Sequence, residues 1–216
     1  MVNEKEIPIF IICRDRLTYL QRLIEALKQR NYNNLILIDN ASTYPPLLEY
    51  YKTLPYKIIY NDRNFGHTVI ANTQIVNPYL SDYYAYTDCD VVPDASCPDN
   101  FLEHFRNLLE KHRQIVKVGF GLRIDNLPDH YEAKQAVLSW ESQFWKHEIE
   151  PGVFSAPIDT TFALVRPGNK VTWAMALRTA APFIARHEPW YADSANLPED
   201  ILYYRAHGDS GIGQWK

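Results

Sequence analysis

Cysteine is scarce in this chain, and its three residues, Cys13, Cys89 and Cys97, are odd in number with no CxxC spacing. That excludes a disulfide framework and a cysteine-rich zinc site, and predicts reduced thiols. Long apolar runs are missing too: no stretch approaches the roughly 18 to 20 residues that span a bilayer. The opening residues MVNEKE lack the basic and then apolar plan of a signal peptide, so the chain reads as cytoplasmic, with no integral membrane segment. Positive charge is not in excess either. A formal net charge of -4, with Lys and Arg scattered along the chain, offers no field for nucleic acid or another polyanion. Internal repeats, low-complexity tracts and linkers are absent, so the 216 residues read as one domain over 1–216.

What the chain does have is a regular alternation of apolar and helical patterns. Ile7 to Cys13 is a β-rich run that breaks into polar residues. Leu17, Leu20, Leu23, Ile24 and Leu27 then recur at helical spacing. Leu35 to Ile38 repeats the strand and Pro45 to Leu54 the helix. Tyr56 to Tyr60 predicts a third strand with a helix over Thr68 to Val76, and Tyr83 to Thr87 predicts a fourth strand. Such units imply an α/β fold with a mainly parallel sheet covered on both faces, and in these sheets ligands bind outside the carboxyl ends of the strands. Those ends are Cys13 to Arg16, Asp39 to Ser42, Asn61 to His67 and Asp88 to Asp94, all polar.

Beyond them the spacing predicts a helix over Phe101 to Arg113, a strand over Val116 to Phe120, a helix over Ala133 to Trp145 and an extended segment from Ile158 to Val165. Aromatic residues make up 13% of the chain, and many lie in this second half, where they either stack on sugar rings or fill the core.

Asp88 and Asp90 follow an apolar strand. In an extended chain they point the same way, about 6 to 7 Å apart, with Cys89 on the other side. Two carboxylates so placed can hold Mn2+ or Mg2+ and leave positions open for diphosphate oxygens.

The series IPIFIICRDRLTYLQRLIEAL, LILIDNAST, NDRNFGHTVIAN and YYAYTDCDVVPD resembles the nucleotide-binding half of GT-A glycosyltransferases, especially the family 2-like ones of compact bacterial or viral type. The resemblance covers about the first 100 residues. It implies a single GT-A domain, a UDP-sugar donor, a carbohydrate acceptor and metal-dependent transfer, with residues 101–216 facing the acceptor. Carried over residue by residue, it assigns Cys13, Arg14, Asp39, Arg63, Asn64, Gly66 and Asp88 to the donor, and Asp88 and Asp90 to the metal. Asp39 has an alternative as an Asx-turn or cap before Ser42, and Gly66 as a turn glycine.

A phosphatase of the haloacid dehalogenase type also carries Asp-x-Asp after a strand, but on its first core strand and usually with Thr two residues on, where this chain has Val92. A nucleotidyltransferase needs a Gly-rich phosphate loop, and CRDRLT has no glycine. A non-catalytic nucleotide-sugar-binding module stays open.

In the second half Asp159 precedes an apolar strand, either as a group that bonds a sugar hydroxyl or as a strand-edge cap. The stretch ARHEPWY resembles the signature of metal-dependent retaining families. It implies His187 as third ligand, better suited to Mn2+ than Mg2+, with His207 as competitor. Glu199 and Asp200 follow Pro198, either as the acidic pair that supplies a general base in inverting enzymes or as ordinary first-turn acids. These two hints conflict over the stereochemical outcome. The Tyr-Tyr, His and Trp tail includes Trp215.

Overall fold

In the computed structural model, residues 3–207 are described; Trp215 lies outside them. Strand β1 (Ile9–Cys13) pairs in parallel with β2 (Leu35–Asp39) on one side and β4 (Tyr84–Asp88) on the other, and β3 (Lys57–Tyr60) extends β2 in parallel. The apolar runs behave as fully buried strands. In β1, Ile9, Ile11 and Cys13 enter one core cluster while Phe10 and Ile12 enter a second on the opposite face.

Helix α1 (Leu17–Gln29) lays Leu20, Leu23, Ile24 and Leu27 on the first of these faces. It is joined there by α2 (Pro45–Thr53) through Leu47 and Tyr51, and by α4 (Phe101–Lys111) through Phe101, Phe105, Leu108 and Leu109. The second face is covered differently. The helix expected over Thr68 to Val76 is reduced to α3 (Val69–Asn72) between 3-10 turns, and it contributes Val69 and Ile70. The interruption falls at Asn72, Thr73 and the Asn77-Pro78 pair, residues that compete poorly for helical backbone.

The rest of the sheet is mixed. Strand β9 (Ala163–Val165) inserts antiparallel between β4 and β6 (Lys117–Leu122). Strand β10 (Ala176–His187) lies parallel to β6, with an irregularity between Thr179 and Ile184. A short hairpin, β7 (Glu148–Glu150) and β8 (Val153–Ser155), closes that edge, and β5 (Val91–Pro93) pairs antiparallel with the end of β10. Gly119 of β6 is needed because β9 passes so close: an added Cβ would lie 2.2 Å from the Phe162 carbonyl oxygen. Between α4 and β7 lies α5 (Lys134–Glu141), continued as a 3-10 turn to Trp145, so the helix expected over Ala133 to Trp145 tightens in its last turn. The described chain ends in α6 (Glu199–His207). No helix among the described residues is long and apolar enough to cross a membrane.

This topology lines up the polar strand ends. Cys13 sits in register with Asp39, Ile12 with Asp88, and Asp39 with Tyr60. Strand ends in adjacent register lie about 5 Å apart, so residues distant in sequence form one ledge.

Candidate functional site

At the end of β1 the chain turns through Asp15, which adopts a left-handed φ of 53° and is 1% exposed. Its Oδ1 accepts the backbone N–H groups of Thr43 (2.6 Å) and Tyr44 (2.8 Å), and its own N–H donates to Ser42 Oγ (3.1 Å). Asp15 therefore caps the start of α2 and ties the loop after β1 to the loop after β2. Sequence reading had not singled it out. Its signal, a lone Asp in a strand-to-helix turn, is that of any loop aspartate.

The donor-side candidates fall into distinct surroundings. Cys13 is corrected: its side chain is 1% exposed and packs in the core beside Cys89 and Tyr51, where burial pushes its thiol pKa well up. A residue that faces the core offers a donor only its backbone. Arg14 lies beside Asp15, 3.8 Å from Nε to Oδ2. Asp39 is buried, with Oδ2 accepting the Ser42 N–H and Oδ1 the Tyr51 hydroxyl, both at 3.1 Å. The Asp39 side chain thus caps the turn before Ser42 through an i to i+3 bond, and each oxygen retains a second lone pair. Asn64 Oδ1 accepts from Asn40 Nδ2 (2.8 Å) and from the Gly66 N–H (2.9 Å). Gly66 has a φ of +64° with open space where a Cβ would be. Arg63 is exposed, its guanidinium 4.8 Å above the Phe65 ring.

The aspartate pair does not stay extended as expected. Asp88 ends β4, Cys89 and Asp90 turn, and β5 begins at Val91. Asp88 is half-buried, and Thr160 Oγ1 donates to its Oδ2. Burial lifts the Asp88 pKa to about 6, with Asp159 adding to the rise while the Thr160 bond, Arg16 and His187 pull it down. Asp90 is 1% exposed. The guanidinium of Arg16 binds its Oδ2, and its Oδ1 is buried with no hydrogen-bond partner among the described residues.

The pairing of β5 with β10 sets His187 in register with Val91 and brings its Nε2 to 3.5 Å from Asp90 Oδ2. Burial and Arg16 hold His187 at a pKa of about 4, so it is the neutral imidazole at ordinary pH, and its buried Nδ1 has no hydrogen-bond partner among the described residues. Arg16, a strand-end residue that no motif in the sequence marks, is the cation of this cluster; Tyr204 of α6 lies under it at 4.2 Å.

Asp90 Oδ1 and His187 Nδ1 are two buried ligand-type atoms without a hydrogen-bond partner among the described residues. Among the described residues no three His, Cys, Asp or Glu side chains form a ready metal cage.

Asp159 faces solvent beside this cluster. Its Oδ1 accepts the N–H (3.1 Å) and hydroxyl (2.9 Å) of Thr161, while Oδ2 takes no hydrogen bond among the described residues. Partial burial would raise its pKa, but Arg178 and the Thr161 donors outweigh that and hold it below the usual range.

Asp200 and Glu199 open α6, whose Tyr204 packs on Arg16. Asp200 is 3% exposed and both of its oxygens serve Thr18, Oδ2 accepting the N–H (2.8 Å) and Oδ1 the hydroxyl (2.7 Å). It caps α1, whose own N-cap residue Arg16 provides no side-chain cap. Glu199 is exposed in the first turn of α6. His207, the competitor for the metal, is also exposed and stacks on Tyr203 at 4.0 Å.

No curated protein matches the sequence. Among solved structures, S. aureus TarS 1-349 in complex with UDP is similar at 12% identity and a TM-score of 0.40, over 58% of this chain and 39% of that one. Glucosyl-3-phosphoglycerate synthase from Mycobacterium tuberculosis, in complex with phosphoglyceric acid, is similar at 13% identity and a TM-score of 0.42, over 74% of this chain and 56% of that one. A cytidylyltransferase from Leptospira borgpetersenii gives 14% identity and a TM-score of 0.38, with 56% of each chain covered. The chain spans less than two thirds of the length of each of these structures. The family model for glycosyl transferase family 2 matches residues 9–163, from the first residue of β1 to the first of β9, and the chain belongs to that family.

Proposed function

We propose that this protein is a glycosyltransferase that moves a sugar from a nucleoside diphosphate sugar, with UDP as the nucleotide, to a hydroxyl of a carbohydrate acceptor. The observation that carries the reading is the gathering of Asp88, Asp90 and Asp159, which lie inside the segment matched by the family, with His187, which lies beyond it, around Arg16 at the carboxyl ends of β1 and β4. The loops after β1, β2 and β3, with Arg14, Asp39, Arg63, Asn64 and Gly66, would receive the nucleotide. Asp88 and Asp90, with His187 beside them, would hold Mn2+ or Mg2+, which when bound supplies positive charge to the diphosphate leaving group.

The chain's own groups account for the rest. Asp39 is held by Ser42 and Tyr51 in one orientation, so its remaining lone pairs are aimed before a nucleotide arrives. Arg16 presents a fixed guanidinium where negative charge builds up on the leaving diphosphate. Asp159 keeps one carboxylate oxygen free and ionised, and that oxygen is our choice for the group that orients the acceptor hydroxyl and takes its proton. We prefer it to Asp200 because both oxygens of Asp200 are committed to Thr18.

The test is a calorimetric titration of UDP in Mn2+ and again in EDTA. Without a cation the diphosphate meets carboxylates of like sign, so binding in EDTA is expected to be weaker by at least about tenfold. Equal affinity in the two conditions would refute the metal-site assignment.

A further inference from the structure

The segment 157–162 between β8 and β9 carries Asp159 and Thr160 to the site without belonging to a helix or strand. Four of its backbone carbonyls are nevertheless held. The Pro157 carbonyl accepts from Arg178 Nε (2.9 Å), the Ile158 carbonyl from Lys117 Nζ (2.5 Å), and the Asp159 carbonyl from the Tyr86 hydroxyl (2.7 Å). The Thr160 carbonyl accepts the Asp88 N–H (3.0 Å). Four successive carbonyls are thus each taken by a donor from the sheet, three of them by side chains from β10, β6 and β4.

These donors form a connected set. Lys117 Nζ also donates to Tyr86 Oη (2.8 Å), which commits the tyrosine proton to the Asp159 carbonyl. Arg178 is neutralised by Glu141, Nη1 to Oε2 3.1 Å, and its guanidinium lies 3.9 Å from the Phe144 ring centre. Lys117 is 0% exposed, yet among the described residues it forms no ion pair with a carboxylate. A buried ammonium without a contacting counter-charge is costly to desolvate, and an apolar side chain of the same length would avoid that cost. A fold that needed only filling at this place in β6 gains nothing from lysine.

We infer that Lys117, Tyr86 and Arg178 are positioning residues of the candidate site: they fix the carbonyls of residues 157–159 and thereby set Thr160 on Asp88 and Asp159 beside it. The inference rests on the donor-site reading above and adds to it the machinery that aims the site. None of the three touches a substrate in this scheme. Their effect passes through the segment they grip.

The experiment compares Tyr86→Phe and Lys117→Met in the full chain with Val118→Ala, a truncation of a fully buried core residue on the same strand. Three quantities are measured: the melting temperature, hydrogen exchange of the 156–162 peptide, and UDP affinity in Mn2+ and in EDTA. Both positioning variants should speed exchange in that peptide and weaken Mn2+-coupled UDP binding about tenfold, leaving affinity in EDTA unchanged. The core variant should lower the melting temperature and leave the Mn2+ coupling intact. Exchange identical to the parent overturns the inference, and so does faster exchange with unchanged coupling, because the grip would then be structural only. If Lys117→Met does not fold, Tyr86→Phe, which removes a single hydroxyl, decides alone. A parent protein whose UDP binding ignores Mn2+ removes the donor-site reading first, and the positioning role falls with it.

Discussion

Residue by residue, the site joins groups whose charge states depend on one another. Asp90 is the most enclosed of them, bound on one oxygen by Arg16 and approached by His187, with its other oxygen unpartnered. Asp90→Asn is nearly isosteric, so the melting temperature should stay within a few degrees of the parent. The Mn2+ dependence of UDP binding should disappear, because a charged ligand has been lost. A collapse of the fold would show instead that the Arg16–Asp90 pair is there for stability. Lys117 yields a prediction about pH. Burial lowers its pKa from 10.5 to about 8, so between those values the unfolded chain holds a proton that the folded chain has released. Stability from this group therefore rises with pH across that window; its burial cost is full below pH 8 and gone above 10.5. Lys117→Met lacks the effect. The melting temperature of the parent minus that of the variant should increase from pH 8 to 10.5, and a flat difference would mean that Lys117 keeps an ordinary pKa in the fold.

Elements come next in scale. Helix α1 has apolar residues in a clear stripe but begins at Arg16, which offers no capping oxygen, and the cap is delivered by Asp200 from α6 across 182 positions. Removing both bonds with Asp200→Ala should cost about 1 to 2 kcal/mol. For a chain of this size that lowers the melting temperature by roughly 2 to 8 °C. Thermal melts and transfer rates of the variant separate two roles: an unchanged melting temperature with lost transfer would return Asp200 to the catalytic group. The same helix shows how far sequence reading reaches. Its stripe from Leu20 to Leu27 was legible because period 3.6 is a local property. Its cap was not, because nothing near Leu17 marks a carboxylate so far along the chain. Strand β10 escaped sequence reading for a related reason. It crosses a register irregularity near Pro182 and alternates buried with exposed residues only in part, so no simple period marks it.

For the whole molecule, binding and folding are linked. If UDP and Mn2+ occupy the site only in the folded state, saturation near a hundred times the dissociation constant should stabilise the protein by about 2.7 kcal/mol. A scanning melt should then shift upward by roughly 5 to 10 °C, and UDP in EDTA should produce a smaller shift. No shift with either would count against a nucleotide site at these strand ends.

The sequence by itself determined the first half of this protein. Apolar runs long enough only for strands, separated by amphipathic helices and ending in polar residues, admit few arrangements other than a parallel α/β sheet with its ligands at the carboxyl ends. From that follows the neighbourhood of Asp39 and Asp88. Only the tertiary structure decided the second half, because its contacts join residues that no local pattern connects. The antiparallel pairing of β5 with β10 brought His187 to Asp90, the insertion of β9 brought Thr160 to Asp88, and buried Lys117 and Arg178 took hold of a segment with no period of its own. Periodicity records which face a residue turns to the core. It does not record which distant donor will satisfy a carbonyl, and that selection is made only when the sheet has closed.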